Sequence, residues 1–377
     1  MRIALVAGEA SGDLLGAGLI RAIQERVPDA TFEGVAGPEM IAAGCTRIED
    51  SEALAVMGLI EPLSEIPRLL KLRRSLIDRW KQDPPDVFVG IDAPDFNFGL
   101  EKALRVAGVP VVHYVSPSIW AWRAGRIKTV AQSVDRVLCI LPFEKAIYDE
   151  RGIDAVFVGH PKADSLPTNP DVEEVRRTLG LSEYTVLAVL PGSRSNEVKR
   201  LGPIFAAAAA LLAAENDALR FVTPVASAKL RPIIEQQLAA AGVSHLFTLI
   251  DGDSIAAMTA AHVVLLASGT AALESALLCK PTVAAYKVAE ISARIVQVFG
   301  LIKAPYFTLP NLLTDEAMVP EIIQWAVTPT AVAAEVSALL GDPERRASIS
   351  DQFAKLRAEL ALDADQRAAD AVLELAT

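Results

Sequence analysis

One aspartate of this sequence is well placed for proton-transfer chemistry. The apolar run Val87 to Ile91 predicts a buried strand, and Asp92 follows it directly. Pro94 disfavours the α region for Ala93, so we expect Asp92 to lie in the exposed bend of a turn. A carboxylate there can act as a general base and accept the proton of an attacking hydroxyl group. The structural alternative is that Asp92 braces the turn by binding backbone amides.

The second carboxylate of the same turn is interpreted differently. Asp95 precedes the predicted helix Phe96 to Ala107, which Gly108 closes. A side-chain oxygen before a helix can accept a backbone N–H of the first turn. We therefore expect Asp95 to cap the helix and Asp92 to be available for catalysis.

Two turns in the second half of the chain contain the groups that a diphosphate site needs. Each follows a predicted buried strand and opens a helix, where free backbone amides, glycine, hydroxyl groups and an arginine can bind phosphate oxygens. Glu274 lies one helical turn after Thr270, where its two oxygens could accept ribose hydroxyl groups. The residues assigned to this site are Gly192, Ser193, Arg194, Ser268, Gly269, Thr270 and Glu274.

Each of these assignments has a structural alternative. Arg194 could pair with Glu197 on a solvated helix start, which we consider the less favoured arrangement. Glu274 could be a solvated helix charge, although its neighbours from Ala271 to Leu278 are otherwise uncharged. A lone carboxylate in such surroundings indicates a binding partner.

A glycine-rich loop follows the first predicted strand. Its glycines Gly8, Gly12 and Gly16 do not have the spacing of a dinucleotide fingerprint. Two interpretations stay open: a tight turn with a side chain capping the helix, or contacts to the polar groups of an acceptor. Aromatic residues after a later strand could line the same site or pack in the core. The acceptor-side candidates are Glu9, Ser11, Gly12, Asp13, Trp120, Trp122 and Arg123.

The segment 63–81 is basic within an acidic chain, with six basic and two acidic side chains. Leu69, Leu72, Leu76 and Trp80 form one helical stripe, which favours a surface helix packed on its own sheet. Basic side chains near an anionic bilayer each add about 1 kcal/mol, so membrane contact is the alternative. The candidates for that contact are Arg68, Leu69, Leu70, Lys71, Leu72, Arg73, Arg74 and Leu76.

The arrangement of the chain predicts two α/β domains. A length of 377 residues exceeds the size of about 250 to 300 residues at which one core stops growing. Apolar runs alternate with amphipathic segments, which indicates Rossmann-like, doubly wound domains with parallel sheets, facing a cleft. A proline-rich joint places the boundary at 166, with domains 1–166 and 167–342 followed by C-terminal helices at 343–377.

Strand candidates are distributed through both predicted domains. They are Ile3 to Ala7, Thr31 to Val35, Val87 to Ile91, Pro110 to Val115, Arg136 to Leu141, Ala155 to Val158, Thr185 to Leu190, Leu219 to Thr223, Leu246 to Ile250, Val263 to Ala267 and Thr282 to Tyr286. The uncharged stretch Ser254 to Leu273 has the length of a membrane span, but Ser268-Gly269-Thr270 divides it into a strand and a helix.

Composition excludes several classes of protein. The net charge of −11 disfavours nucleic acid as a partner. Three cysteines, Cys45, Cys139 and Cys279, leave one unpaired in any disulfide scheme, which favours a reducing cytosol. Neither the cysteines nor the four histidines have metal-ligand spacing. We expect no metal ion and no cofactor.

Beyond these local patterns, the chain resembles the lipid-A-disaccharide synthases, glycosyltransferases of outer-membrane lipid assembly in Gram-negative bacteria. The likeness runs nearly end to end. It is carried by Gly8-Glu9-Ala10-Ser11-Gly12-Asp13, Gly90-Ile91-Asp92-Ala93-Pro94-Asp95-Phe96-Asn97, Tyr114-Val115-Ser116-Pro117-Ser118-Ile119-Trp120-Ala121-Trp122-Arg123, Leu190-Pro191-Gly192-Ser193-Arg194, Ala267-Ser268-Gly269-Thr270-Ala271-Ala272-Leu273-Glu274 and Leu309-Pro310-Asn311-Leu312-Leu313.

The resemblance implies a GT-B fold and a specific reaction. The reaction transfers 2,3-diacylglucosamine from UDP to 2,3-diacylglucosamine 1-phosphate, giving a β-1,6 disaccharide and UDP with inversion. The UDP-sugar is a substrate and no metal is implied. Asp92 matches the expected base, while Arg194 and Asn311 match donor-site residues. From the residues alone, Asn311 is interpreted as a turn or helix cap.

The resemblance also implies a location and partners. Domain 1–166 would hold the acceptor and face the membrane, and domain 167–342 would bind the UDP-sugar. The protein would be cytoplasmic and peripheral on the cytoplasmic face of the inner membrane, with segment 63–81 against its phospholipids. The C-terminal helices at 343–377 would pack back on the first domain or be exchanged in a homodimer.

Two other functions use similar residues. A UDP-N-acetylglucosamine epimerase would have the same nucleotide site without needing a lipid-facing basic helix. A non-catalytic module that binds nucleotide-sugars or lipids would retain Arg194 and Glu274 but give Asp92 no role.

Overall fold

The computed structural model describes residues 1–54, 66–120, 124–288 and 305–376. The chain divides into two compact units, Met1–Asp164 with Leu360–Thr377, and Ser165–Glu359. The first crossing between the units therefore falls two residues before the predicted boundary at 166.

Unit 1 is an α/β unit built on one parallel sheet. Its seven strands have the order β3-β2-β1-β4-β5-β6-β7. In chain order its elements are β1 Arg2–Ala7, α1 Glu9–Arg26, β2 Thr31–Ala36, α2 Pro38–Ala42, β3 Cys45–Asp50, α3 Ile66–Gln82, β4 Val87–Ile91, α4 Pro94–Val106, β5 Val111–Tyr114, α5 Ile127–Ser133, β6 Arg136–Cys139, α6 Pro142–Asp149, β7 Ala155–Phe157 and α7 Pro161–Ser165, whose last residue belongs to unit 2.

Unit 2 is a second α/β unit with a parallel sheet of six strands in the order β10-β9-β8-β11-β12-β13. Its elements are α8 Val172–Thr178, β8 Thr185–Leu190, α9 Ser195–Glu215, β9 Leu219–Val225, α10 Arg231–Ala240, β10 Phe247–Asp251, α11 Ser254–Ala260, β11 Val263–Ala267, α12 Thr270–Leu277, β12 Thr282–Tyr286, α13 Leu309–Thr314, β13 Glu321–Ile323, α14 Pro329–Gly341 and α15 Pro343–Leu360, whose last residue belongs to unit 1. The last helix of the chain, α16 Ala364–Ala376, belongs to unit 1.

The central strands of both sheets are apolar because helices cover both of their faces. All five residues of β4 are buried, as are the last five of β8. Parallel strands covered on both faces have continuous apolar runs rather than alternating ones. The sequence pattern that predicted doubly wound domains is confirmed.

The two helices of the C-terminal segment 343–377 pack in different units. Arg357 of α15 is buried and donates hydrogen bonds to the carbonyl oxygens of Pro167 and Leu277, at 2.8 and 3.0 Å. These contacts hold α15 in unit 2. By contrast, α16 packs against α1 of the same chain, where Arg26 forms an ion pair with Asp370. The expectation that 343–377 packs as a whole on the first domain is therefore wrong for α15, and exchange in a dimer stays a prediction.

The uncharged stretch Ser254 to Leu273 forms α11, β11 and the start of α12. No helix in the described part of the chain is long and apolar enough to cross a membrane. The predicted strand and the helix that follows it are confirmed, and the helix α11, which was not predicted, precedes them.

Candidate functional site

The predicted catalytic turn lies at the topological switch point of the unit 1 sheet. Strand β1 pairs with β2 on one side and with β4 on the other. Gly8 follows β1 and Asp92 follows β4, at the same carboxyl edge. In open α/β sheets, ligands bind in the crevice outside such a point, since the connecting helices leave toward opposite faces.

The backbone at this edge is strained. Glu9, Asp92, Ala93 and Val115 have φ values of +63, +50, +42 and +77°. These residues follow the adjacent strands β1, β4 and β5. Non-glycine residues at positive φ each cost about 1 to 3 kcal/mol and cluster at active sites, where the surrounding structure holds them.

Two contacts hold the Asp92 turn in place. The buried Asn97 side chain of α4 donates a hydrogen bond to the backbone carbonyl of Asp92 at 2.8 Å. Gly8 lies so close that a Cβ there would approach the Cβ of Ala93 to 2.8 Å. A side chain at position 8 would push the turn away, so glycine lets the two loops meet.

The Asp92 carboxylate is left available by this arrangement. The residue is partly exposed, and its carboxylate has no hydrogen-bond or ion-pair partner within the described ranges. The backbone contacts of the turn come from Asn97 and from the bond between the Asp92 amide and the Tyr114 carbonyl, at 2.9 Å. The Asp92 carboxylate therefore does not brace its own turn, and the structural alternative is wrong.

The interpretation of Asp95 as a helix cap is wrong. Helix α4 begins at Pro94, with Ala93 at the cap position, so Asp95 lies inside the first turn. Proline suits the first helical position because its missing N–H has no acceptor there. The Asp95 carboxylate pairs with Arg126 and is largely exposed. It contributes to the charge of the helix start rather than capping it.

Asp13 is a structural residue and not an acceptor contact. Its side chain is 2% exposed and accepts hydrogen bonds from the amides of Gly37, Glu39 and Met40, at 2.9, 2.9 and 3.0 Å. A Cβ at Gly37 would lie 2.4 Å from one of its oxygens. Both carboxylate oxygens are therefore committed to the start of α2.

The other acceptor-side candidates are divided by their exposure. Glu9 and Ser11 are exposed at the start of α1, and Gly12 is buried beneath them. Trp120 is partly buried and packs edge-on against Phe143, with ring centroids 5.4 Å apart. Trp122 and Arg123 lie outside the described residues. Glu9, Ser11 and Trp120 are thus the described acceptor-side candidates with accessible side chains.

Trp120 is oriented by a buried carboxylate. Its indole N–H donates to Glu144 at 3.3 Å, and the amide of Leu141 donates to the same side chain at 3.1 Å. Burial raises the pKa of Glu144 to about 7, against the opposing effect of these hydrogen bonds. Nothing in the spacing of the sequence pointed to Glu144.

Sequence patterns also did not indicate a buried pair next to the Asp92 turn. Glu101 of α4 and His113 of β5 are fully buried, and their side chains are 2.6 Å apart. Burial raises the pKa of Glu101 against the opposing effect of His113. A Cβ at Gly90 would lie 2.1 Å from a Glu101 oxygen, so this glycine makes room for the pair. A glycine inside an apolar strand was the available signal, because it marks a close approach.

Unit 2 has a cleft at its own switch point. Strand β8 pairs with β9 on one side and β11 on the other. The cleft has a volume of about 400 Å³ and lies over the carboxyl ends of these strands. All seven residues that the sequence assigned to the diphosphate and ribose site line it: Gly192, Ser193, Arg194, Ser268, Gly269, Thr270 and Glu274.

Arg194 pairs with Glu197, the arrangement that the sequence made the less favoured one. Its guanidinium lies 3.2 Å from Glu197, and its side chain is 82% exposed. Glu197 also accepts the amides of Ser193 and Arg194, at 3.1 and 3.2 Å. An ion pair this exposed contributes little stability, so Arg194 can leave Glu197 at small cost. These two amides are occupied and the guanidinium is the mobile donor.

The turn itself requires glycine at position 192, independently of the expected contact with phosphate oxygens. Gly192 has a φ of +119°, and a Cβ there would lie 2.6 Å from the Cβ of Glu197. Glycine is therefore required by the turn and by the glutamate that packs over it, before any ligand approaches.

The second turn keeps a helix start available. Helix α12 begins at Thr270, and no described side chain caps it. Uncapped N–H groups at a helix start attract anions. Glu274 is partly buried on the next turn and lines the same cleft.

Asn311 is buried and bonded within its own turn. It is 1% exposed, and its amide donates to the carbonyl of Val319 at 2.8 Å and to Glu321 at 2.9 Å. Its oxygen accepts the amide of Val319 at 2.8 Å. Within the described residues, Asn311 is not among those that line the cleft. The geometry supports the turn-forming role that the residues alone indicated.

The basic segment is the helix α3, apart from residues 63–65, which lie outside the described ranges. Leu69, Leu76 and Trp80 are buried and Leu72 is partly buried, so the predicted stripe packs on the unit 1 sheet. The exposed side chains include Arg68, Leu70, Lys71 and Arg74.

Several basic side chains of α3 are bound within the unit. Arg68 donates to the carbonyl of Ala53 at 3.0 Å, Arg73 lies 5.8 Å from the ring centroid of Phe96, and Arg79 bonds Glu33 at 2.8 Å. Leu70, Lys71 and Arg74 lie on one exposed face, since i, i+3 and i+4 positions are neighbours on a helix. Together with Arg68, they are the exposed members of the eight predicted membrane-contact residues.

Metal ligands do not assemble in the part of the chain that the structure covers: no group of three His, Cys, Asp or Glu side chains there could hold an ion. The three cysteines are free. A metal-independent mechanism stays a prediction.

Comparison with solved structures identifies the fold. A UDP-GlcNAc 2-epimerase from Neisseria meningitidis bound to UDP-GlcNAc has a TM-score of 0.61 at 15% identity, with 100% of this chain and 99% of that chain covered. A glycosyltransferase from Rickettsia africae has a TM-score of 0.62 at 11% identity, with 100% and 97% covered. At these identities the likeness concerns the fold, which is GT-B.

Comparison of sequences identifies the family. A family model described as lipid-A-disaccharide synthetase matches residues 3–375. A lipid-A-disaccharide synthase from Alkalilimnicola ehrlichii is 47% identical, and the match covers 100% of this chain and 99% of that protein. The epimerase alternative is not favoured, because its likeness extends to the fold alone. This chain belongs to the lipid-A-disaccharide synthase family and is a glycosyltransferase.

Proposed function

We propose that Asp92 is the general base of an inverting transfer from a UDP-sugar to the hydroxyl group of a glycosyl phosphate. The substrates would be UDP-2,3-diacylglucosamine and 2,3-diacylglucosamine 1-phosphate. The observation that carries the proposal is the partly exposed Asp92 carboxylate, which has no partner among the described residues and lies on a strained turn at a switch point.

The chemistry needs one carboxylate at this position. As the acceptor oxygen attacks the anomeric carbon, its proton passes to Asp92 and the bond from that carbon to the UDP oxygen breaks. Attack from the face opposite UDP inverts the anomeric configuration, so no covalent sugar intermediate is required. Positioned general bases contribute about 10² to 10⁴-fold to such steps.

A test of the reaction class is UDP release measured with both substrates and with each omitted. Transfer requires UDP to appear only when donor and acceptor are both present. Release of UDP from the donor alone, at the same rate, would contradict transfer and favour hydrolysis or epimerase-like elimination.

The unit 2 cleft is the proposed site of the UDP part of the donor. Arg194, freed from Glu197, would contact the diphosphate as its charge grows, and the start of α12 would donate backbone N–H groups to it. Glu274 would accept ribose hydroxyl groups. In this proposal protein groups stabilise the leaving diphosphate and no metal ion is involved.

Replacing Arg194 with alanine is expected to raise the Kd for UDP by about tenfold or more, because one charge-assisted contact contributes about 1.5 to 3 kcal/mol. Isothermal titration calorimetry measures it. Lys199→Ala is the matched control, since Lys199 is exposed on α9, the helix that Arg194 precedes, and does not line the cleft. Equal Kd values for the two variants would remove Arg194 from the donor site.

We also propose that the exposed face of α3 meets the cytoplasmic surface of the inner membrane. Leu70, 50% exposed, would enter the interface while Lys71 and Arg74 meet anionic headgroups. The acidic remainder of the chain is screened beyond about 8 Å at physiological salt, so local attraction can prevail.

Charge reversal on that face tests the membrane proposal. Lys71→Glu with Arg74→Glu is expected to abolish sedimentation with anionic liposomes, whereas the parent protein should sediment and be released by salt. Lys128→Glu is the control, because Lys128 is exposed on α5 of the same unit. Sedimentation that ignores lipid charge and salt would contradict the proposal.

A further inference from the structure

A second cavity adjoins the unit 2 cleft on the side away from β9 and β10. It has a volume of about 200 Å³. It shares Arg194, Glu197, Ala267 and Ser268 with the cleft. The shared residues form its wall toward the cleft, so a ligand that reaches Arg194 and Ser268 is also at the edge of this cavity.

Two cations that no sequence motif indicated line this second cavity. Arg200 lies on the second turn of α9, and Lys287 directly follows β12. Both are partly buried. Neither side chain has a hydrogen-bond or ion-pair partner anywhere in the described ranges.

The charge of the cavity is not balanced among the described residues that line it. Three of them, Arg194, Arg200 and Lys287, are basic and one, Glu197, is a carboxylate. That carboxylate already accepts the two backbone amides of the α9 start and pairs with Arg194. Removing charge from water is costly, so a buried cation gains from a partner of opposite charge. An anion bound between Arg200 and Lys287 would be a partner that the described lining does not supply.

We infer that Arg200 and Lys287 form a second phosphate-binding site in unit 2, adjoining the diphosphate site at Arg194 and Ser268. An arginine fork and a lysine ammonium across a small cavity are the donors that suit a phosphate with several free oxygens. This inference rests on the proposed function, since it assigns a phosphate of the substrates to the site.

Two substrate phosphates have this chemistry. One is the terminal phosphate of the nucleoside diphosphate, which would lie across the shared wall from Arg194. The other is the phosphate monoester of a glycosyl phosphate acceptor. Either phosphate could bind to the same two cations. Binding measurements with different ligands distinguish the two possibilities.

The test compares Arg200→Ala, Lys287→Ala and the double variant with Lys199→Ala. Lys199 precedes Arg200 on α9 but is exposed and does not line the cavity, so it reports the loss of a positive charge alone. Calorimetry with UDP and with UMP is combined with the KM for the acceptor. Lys287→Arg, which keeps the charge, is expected to bind as the parent protein does.

If the site holds the terminal phosphate of UDP, the double variant is expected to raise the Kd for UDP by about tenfold or more and to leave the Kd for UMP unchanged. If it holds the acceptor phosphate, both Kd values stay unchanged and the KM for the acceptor rises by about tenfold or more. Either result supports a second phosphate site and identifies its ligand.

Two results would overturn the inference. One is that the double variant has the same Kd for UDP, the same Kd for UMP and the same KM for the acceptor as Lys199→Ala. The other is an equal weakening of UMP and UDP, which would assign the effect to the nucleoside monophosphate part. The Arg194→Ala measurement distinguishes failure of this inference from failure of the proposed function. If Arg194→Ala weakens UDP binding and the Arg200 and Lys287 variants change nothing, only the second phosphate site is rejected.

Discussion

Replacing Asp92 with asparagine is expected to lower kcat by about 10² to 10⁴-fold and to leave the Kd for UDP and the fold unchanged. Asparagine adopts the positive φ of +50° at least as readily as aspartate, so the turn should keep its shape. The Asn97 contact is to the backbone carbonyl of residue 92 and is also retained. The substitution therefore removes the basic carboxylate and changes little else. Steady-state kinetics at saturating substrate concentrations measures kcat.

Asp95→Asn is the matched control for Asp92→Asn. It lies in the same segment, three residues along, and pairs with Arg126 on the surface. Exposed ion pairs contribute about 0 to 1 kcal/mol, so near-parental turnover is expected. Near-parental turnover of Asp92→Asn, or an equal loss in both variants, would contradict a base at position 92.

The second large effect concerns stability rather than catalysis. Asp13→Ala is expected to lower the free energy of unfolding by about 3 kcal/mol or more, because three backbone amides at positions 37, 39 and 40 lose their acceptor. Chemical denaturation with constant m-value measures the loss. The KM for the acceptor, measured below the unfolding transition, should stay unchanged.

Ser11→Ala serves as the control for Asp13→Ala. Ser11 belongs to the same loop and is exposed, so its replacement should change the stability by no more than about 0.5 kcal/mol. If Asp13→Ala left the stability intact and raised the KM for the acceptor, the acceptor role that the sequence indicated would be correct and the structural role wrong.

The sheets were predictable because their central strands are buried on both faces. The predicted spans Val87 to Ile91, Thr185 to Leu190, Val263 to Ala267 and Thr282 to Tyr286 have the observed bounds. The missed strands are Cys45–Asp50 and Glu321–Ile323. Both are edge strands with exposed or partly exposed residues, so they lack the apolar run that identified the others.

The turns of the site were predictable in position, and the partners of their side chains were not. Strand ends and glycines located the Asp92 turn and the two unit 2 turns. Asp13, however, binds amides 24 to 27 residues away, and Asn311 binds Val319 and Glu321. Long-range hydrogen bonds leave no local periodicity, so spacing could not distinguish an acceptor contact from a structural bond.

Charge balance needed the structure for the same reason. Arg200 and Lys287 are 87 positions apart in the chain and are brought to one cavity by α9 and β12. Glu101 and His113 meet because α4 packs on β5. In both cases the informative property is the presence or absence of a partner in space, which a single sequence does not contain.

The central claim is that Asp92 accepts a proton from the attacking hydroxyl group, and an acceptor with an amino group in place of that hydroxyl tests it most directly. A neutral amine attacks without prior loss of a proton, so it needs no general base. We predict that Asp92→Asn loses about 10²-fold or more in kcat/KM with the hydroxyl acceptor and much less with the amine, at a pH where the amine is neutral. An equal loss with both acceptors would contradict the claim and make Asp92 a structural residue of its turn.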